Sequence, residues 1–362
     1  MNLRYAIPVL LLLAAAAALS SCGSSNSSHL LYVSTGQGIY GYRIDNKTGA
    51  STALPSAPFI VGNTPSGMVI DSSGQRGYVA NQSDNTVSLL TIDSTSGVIS
   101  EVLPRVATGG FSPSQLLLDD ASHTLFATNL LSNNISTFSI GGSGGLTLAT
   151  TTSLPDSPSN IAFAGGLLFA ATPNFSRVYI FSVSSGTLTA LTGSPLVVTE
   201  GVGTVTVDPS AKYLYVTNPG NNTISAYSIQ YASGSNQITL TVIPGSPFLS
   251  SPSATTTAIA APVTSILDSN TTHLYVANSA AGNLAVFSVG TNGSLTATTG
   301  SLATTGTNPR VLAFDPIGNY LLVGNVGSKT ITEFTIKSDA TLSSTGQTVN
   351  LASVPQAIAV TR

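Results

Sequence analysis

The sequence predicts an all-β chain built as a closed ring of seven four-stranded antiparallel sheets, and three observations lead there. First, one supersecondary unit recurs along the chain: anchors at Tyr32, Tyr78, Phe126, Phe169, Tyr215, Tyr275 and Leu322 are spaced by 46, 48, 43, 46, 60 and 47 residues. Repeats of forty to fifty residues are the spacing of four-stranded propeller blades. Second, apolar and polar residues alternate within each unit, as in Ile224-Ser225-Ala226-Tyr227-Ser228-Ile229, which is the period-2 signature of a strand. Third, the two ends complement each other. The repeat begins at a second strand (Leu31-Tyr32-Val33), whereas Pro355 to Val360 reads as a first strand with no second strand after it. Pairing the last strand with the first blade closes the ring and removes an open sheet edge.

Each blade then follows in order. Strand A is a short apolar run ending at an Asp (Asp71, Asp119, Asp208, Asp268, Asp315), and turn residues such as Ser72-Ser73-Gly74 come next. Strand B holds the anchor and ends in Asn or Thr. Strand C is centred twelve residues past the anchor in six copies (Leu90, Phe138, Phe181, Tyr227, Phe287, Phe334) and ten past it in the first (Tyr42). Strand D follows a turn containing Gly, Asn or Asp, as in Gly186-Thr187-Leu188-Thr189. The long 60-residue interval contains an insertion at 249–261, rich in Ser, Thr and Ala, which reads as a surface loop or as a segment overhanging the ligand face.

Composition excludes several function classes. Of 362 residues only 7% are charged, against about 25% in a typical soluble domain. Eleven Lys and Arg cannot build the basic face that nucleic acid requires. Hydrophobic residues make up 42% of the chain, which argues against disorder. The single cysteine, Cys22, rules out a disulfide scaffold or a Cys-based zinc site. Membrane-barrel strands need about 9 to 11 residues, more than the five to seven read here.

Residues 1–21 read as a signal peptide: Arg4 precedes a fourteen-residue apolar run from Ala6 to Leu19, too short to span a bilayer. Leu19-Ser20-Ser21-Cys22 resembles the bacterial lipobox, which implies lipidation of Cys22 and attachment to the cell envelope. Residues 22–28 are the lipidated Cys and a Ser-rich tether, and 29–362 form the ring. Gly23, where the usual sorting pattern would place an Asp for retention, favours the outer membrane, periplasmic or surface face.

Tyr215-Val216-Thr217-Asn218 matches the tetrapeptide that labels the YVTN repeat. Together with Gly193-Ser194-Pro195 and Gly245-Ser246-Pro247-Phe248, it resembles the lactonase-type seven-bladed β-propeller family over residues 29–362. Propellers built on tryptophan repeats do not fit a chain without Trp. The family resemblance implies lactone hydrolysis of the 6-phosphogluconolactonase type, with a His after the Pro-Arg pair that opens strand A and an acid beyond the Asn that ends strand B. Here those positions are Val311 and Val326.

Strand direction places the candidate site. Because B runs antiparallel to A, the starts of A and the ends of B share one face of the ring. That face collects Ser66, Ser114, Arg310 and Gln356 from strand A with Asn81, Asn129, Asn218, Asn278 and Asn325 from strand B, a neutral ring of hydroxyls and amides around one cation. Such a surface suits a sugar-like or lactone-like ligand; the alternative for each Asn is a turn-capping role. Glu200 and Asp84 are the acids expected near that face, and Arg310 with Glu200 is the candidate catalytic pair. His29 adjoins the tether, while His123 and His273 fall in turns on the opposite face. No metal-ligand cluster, phosphate loop or nucleophile elbow occurs, so no metal and no cofactor are expected. The reading that follows is a monomeric envelope binding or scaffolding module with a small ligand or an envelope protein as partner, and lactone hydrolysis as the enzymatic alternative.

Overall fold

In a computed structural model, which describes residues 28–251, 260–315 and 319–361, seven antiparallel sheets form the ring. Blades 2 to 7 are each contiguous in the chain. Their A strands are Pro65–Ile70, Pro113–Asp119, Asn160–Ala164, Val205–Val207, Pro262–Leu267 and Pro309–Phe314. Blade 1 combines Ser28–Thr35, Gly38–Asp45 and Ser51–Ala53 with the C-terminal Pro355–Val360. Leu31 faces Val360 and Val33 faces Ile358, so the ring is closed by strand pairing between the two ends, as the incomplete terminal repeats predict. The signal peptide, Cys22 and tether residues up to 27 lie outside the described residues, as does most of the predicted insertion, 252–259.

The core lies between blades rather than within one. Phe169 and Ile180 of blade 4 pack with Val216 and Tyr227 of blade 5, and Leu322 and Ile331 of blade 7 pack with Leu31 and Ile44 of blade 1. Burying a side chain of this size contributes about 1.5–3 kcal/mol, and alternation lets each blade bury apolar residues against both neighbours.

The repeated polar residues have assignable roles. The anchor tyrosines clasp the next blade: Tyr32, Tyr78, Tyr215 and Tyr275 donate to the carbonyls of Gly97, Gly144, Gly293 and Ala340, at 2.7, 2.9, 3.0 and 3.2 Å. All four acceptors sit in C–D turns at positive φ. The strand-A aspartates cap their turns, with Asp208 Oδ1 accepting from the Lys212 amide at 2.6 Å and Asp315 Oδ1 from the Tyr320 amide at 2.6 Å. In the Gly-Ser-Pro motifs, the serine substitutes for a lost ladder partner. Ser194 Oγ accepts from the Ile180 amide and Ser246 Oγ from the Ala226 amide, each at 2.8 Å, where strand D of blades 4 and 5 is interrupted.

Candidate functional site

Register confirms which strand ends meet. Pro65 faces Asn81, Pro113 faces Asn129, Pro262 faces Asn278 and Pro309 faces Asn325. Immediately after each Pro the ladder slips. Pro309 pairs with Asn325 and Val311 with Gly324, which leaves Arg310 unpaired; Gln356 and Val263 are skipped in the same way. These are β-bulges, which re-aim a side chain. The residue before the Pro is held left-handed in four blades: Thr64, Ser112, Ala261 and Asn308, with φ of 55°, 59°, 50° and 54°. The local sequence therefore turns the chain into the axis and releases one or two residues from the sheet there.

The bulges open onto an axial cavity of about 470 Å³, whose lining includes Ser114, Gln115, Ser159, Asn160, Val263, Arg310 and Gln356. Among the described residues that line it, Arg310 is the one ionisable side chain. Arg310 is exposed, and its side chain makes no ion pair or hydrogen bond with any described residue. The cavity thus brings together three of the predicted strand-A residues: Arg310, Gln356 and Ser114.

The structure places the other predicted site residues outside the cavity lining. Ser66 is 6% exposed and turned into the seam between blades, donating to the Pro113 carbonyl at 2.9 Å. The five asparagines are fully buried beneath the face, not displayed on it. Each reaches strand C of its own blade. Asn81 Nδ2 donates to Thr86 Oγ1 at 3.1 Å and Ser88 Oγ at 2.8 Å, and Asn325 Nδ2 to Thr330 Oγ1 at 3.1 Å and Thr332 Oγ1 at 2.8 Å. Asn129 bonds Asn134 and Ser136, and Asn278 bonds Asn283. For Asn218 the amide satisfies both ends when Nδ2 donates to the Gly201 carbonyl at 2.7 Å and Oδ1 accepts from Thr223 and Ser225. The loop entering strand A covers these amides closely: a Cβ on Gly62 would lie 2.3 Å from Asn81 Cγ, and one on Gly306 would lie 2.8 Å from Asn325 Cγ. Only glycine allows that approach. The signal was present in sequence as a hydroxyl or amide five residues after each Asn, and again seven residues after it in four blades.

Glu200 does not join Arg310. Its carboxylate lies 3.5 Å from Ser225 Oγ on strand C of blade 5, away from the cavity lining. Asp84 is committed elsewhere, accepting from the Asn63 backbone amide at 2.8 Å and side chain at 2.6 Å, with Arg105 at 3.5 Å. These contacts hold its carboxyl below the usual carboxylate range, the Asn63 amides first. His29 is part of strand B of blade 1, 7% exposed and 4.0 Å from Asp315. His273 pairs with Asp268 at 3.2 Å on the opposite face, and His123 is exposed there. No group of three or more His, Cys, Asp or Glu that could hold a metal occurs among the described residues.

Sequence reasoning missed the bridges that tie neighbouring inner strands. Gln115 Oε1 accepts from the Ile161 amide at 2.6 Å and from Asn160 Nδ2 at 3.2 Å, while Asn160 Oδ1 accepts from the Val205 amide at 2.8 Å. Thr206 donates to the Ser265 carbonyl at 2.9 Å. Ser34 donates to the Ser66 carbonyl, which extends the series from blade 1 to blade 6. Val263, Arg310 and Gln356 carry no such bridge among the described residues.

The comparisons with known proteins agree with this geometry. The family model described as lactonase, seven-bladed beta-propeller matches residues 14–110, 39–205 and 206–361. A crystal structure named as a candidate 6-phosphogluconolactonase, from Bacteroides fragilis, superposes with a TM-score of 0.79 at 22% identity. It covers 94% of this chain and 99% of its own. The periplasmic gluconolactonase of Pseudomonas aeruginosa gives 0.77 at 18% identity, covering 93% and 99%. A protein from Lactobacillus plantarum gives 0.79 at 19% identity, covering 93% and 100%. No protein of curated function matches. At these identities the structures establish the fold, and with the family model matched along nearly the whole ring, the chain belongs to the lactonase family of seven-bladed β-propellers.

Proposed function

We propose that the chain binds a lactone in the axial cavity and promotes its hydrolysis, with Arg310 as the group that meets the carbonyl. The observation that carries this is the position of Arg310: released from its sheet by a bulge, unpaired among the described residues, and facing a small-molecule-sized cavity on the ring axis. A guanidinium there stabilises the oxyanion as the carbonyl becomes tetrahedral. A water oxygen adds to the carbonyl carbon, the ring C–O bond breaks, the ring oxygen takes a proton, and a hydroxycarboxylate and one proton are released. The family membership and the names of two structural neighbours support a lactone over the binding or scaffolding role that the sequence alone favours.

The lining has no carboxylate or imidazole among the described residues, so solvent serves as the base. General-base assistance is worth about 10²–10⁴-fold, and turnover is accordingly slower than in an enzyme that has it. The same observation favours a second reading, a lactone-binding module without turnover. Incubating the purified protein with a lactone panel and titrating the released acid decides between them. Acid release that disappears in Arg310→Ala supports hydrolysis, and saturable binding without acid release supports the module.

We further infer that Cys22 carries a lipid anchor and holds a monomeric propeller at the bacterial cell envelope, with the outer membrane favoured. The support is the Leu19-Ser20-Ser21-Cys22 motif at the only cysteine of the chain, followed by Gly23. Mass spectrometry of the mature N-terminus tests it: a diacylated cysteine is expected, and an unmodified or missing Cys22 rejects the anchor.

A further inference from the structure

We propose that the axial cavity selects a lactone that carries an apolar arm and no phosphate. This rests on the reading above and names its substrate class.

The first support is the wall around Arg310. Val263, Val311, Val326 and Val354 belong to blades 6, 7 and 1, which are consecutive in the ring, and each is half-buried and lines the cavity. An alkyl group seated there gains about 0.8 kcal/mol per buried CH₂. A sugar hydroxyl in the same place loses its water and finds no partner, which costs about 1–3 kcal/mol.

The second support is the opposite wall, which offers a polyol less than its composition suggests. Gln115 and Asn160 spend their amides on the Ile161 and Val205 backbones. What remains for a ligand is the Gln356 amide and the hydroxyls of Ser114, Ser159 and Thr264, enough to orient a ring carbonyl and ring oxygen and to meet part of a fully hydroxylated sugar acid.

Charge excludes the phosphate. A phosphate ester is close to a dianion at neutral pH, and removing it from water requires matching cations or converging amides. The described lining supplies one guanidinium, and no α-helix occurs among the described residues to present an N-terminus. One Arg matches one lactone carbonyl, or the single carboxylate formed when the ring opens.

The test compares δ-octalactone, glucono-δ-lactone and 6-phosphogluconolactone as substrates of the full-length protein, and 5-hydroxyoctanoate, gluconate and 6-phosphogluconate as ligands in calorimetry. Expected is at least a tenfold higher kcat/KM for δ-octalactone and the same ranking in affinity. Val326→Gln and, separately, Val354→Gln should cut that preference about tenfold while the thermal midpoint holds; Val326→Leu should keep it. A preference for either sugar lactone overturns the proposal and leaves lactone hydrolysis standing. If no lactone is opened but 5-hydroxyoctanoate still binds best, the ligand class stands and the hydrolytic reading falls. If none of the three acids binds and no lactone is opened, both fall.

Discussion

The inner wall of the ring has two arcs of different character. From blade 1 round to blade 6, side chains of Ser34, Ser66, Gln115, Asn160 and Thr206 reach across to the next inner strand and hold two blades together, while the hydroxyls of Ser114 and Ser159 line the cavity without such a bridge. Through blades 6, 7 and 1 the bulged residues are Val263, Arg310 and Gln356, and none of them carries such a bridge among the described residues. One arc commits its amides and several of its hydroxyls to structure, and the other commits none of its bulged residues. Composition at the start of strand A therefore does not measure a site, since hydrogen-bonding capacity already satisfied by a neighbouring blade is unavailable to a bound molecule.

This contrast can be broken most directly at Arg310. Arg310→Ala should lower lactone kcat/KM by about 100-fold or more, in line with loss of an oxyanion donor. Stability in urea should shift by no more than about 0.5 kcal/mol, because the side chain is exposed and unpaired. A loss of stability as large as the loss of activity would place Arg310 with the structural arc.

The seam that closes the second arc has its own polar group. Glu333, on strand C of blade 7, is 3% exposed, neither of its oxygens has a hydrogen-bond partner among the described residues, and Gly49 of blade 1 packs directly over it. Burial, with the Asp315 carboxylate adding to it, pushes its carboxyl up to about 7. With the folded value above the unfolded one, its contribution to stability is fully present below about pH 4.5 and is lost as pH rises towards 7, after which it stays flat. The loss amounts to about 3 kcal/mol. Glu333→Gln should remove this difference: wild type minus variant, followed by urea unfolding between pH 4.5 and 8, should fall across that window and level off. A difference that does not change with pH would show that Glu333 keeps an ordinary carboxyl.

In the bridged arc the expectation reverses. Gln115→Ala leaves the Ile161 amide without its acceptor and should cost about 1–3 kcal/mol in urea unfolding, with ligand affinity unchanged within about twofold. An affinity loss exceeding tenfold would mean that Gln115 serves the ligand as well. The smallest effect tests the clasp that both arcs share. Tyr215→Phe removes the 3.0 Å bond to the Gly293 carbonyl and should cost about 1 kcal/mol, read as a shift in urea midpoint without a change in slope. Phe126 and Phe169 occupy the same anchor position without a hydroxyl, so the seam tolerates its absence.

Much of this molecule was legible as a repeat. Spacing of the anchors gives the blade number, alternation gives the strands, and the unmatched ends give the closure. The Asp caps and the convergence of A and B ends follow from strand direction. Legibility stopped at side-chain direction. The asparagines that end strand B look like a ligand ring, yet their partners on strand C and the glycines of the covering loop take them into the interior. Ser66 and Arg310 occupy equivalent places after a Pro, yet Ser66 bonds the next blade and Arg310 faces the cavity. Glu200 is near Arg310 in no sense that the chain order conveys, being held over strand C of its own blade.

By itself, then, the sequence determined the all-β ring, its seven blades and its closure, because these depend on periodicity and local turn chemistry that each repeat carries within itself. It also placed one arginine among neutral residues at the axis. Only the tertiary structure decided which polar groups remain free there, because that depends on bulges and on bonds between residues about one repeat apart, where each blade satisfies, or leaves open, the hydrogen-bonding groups of the next.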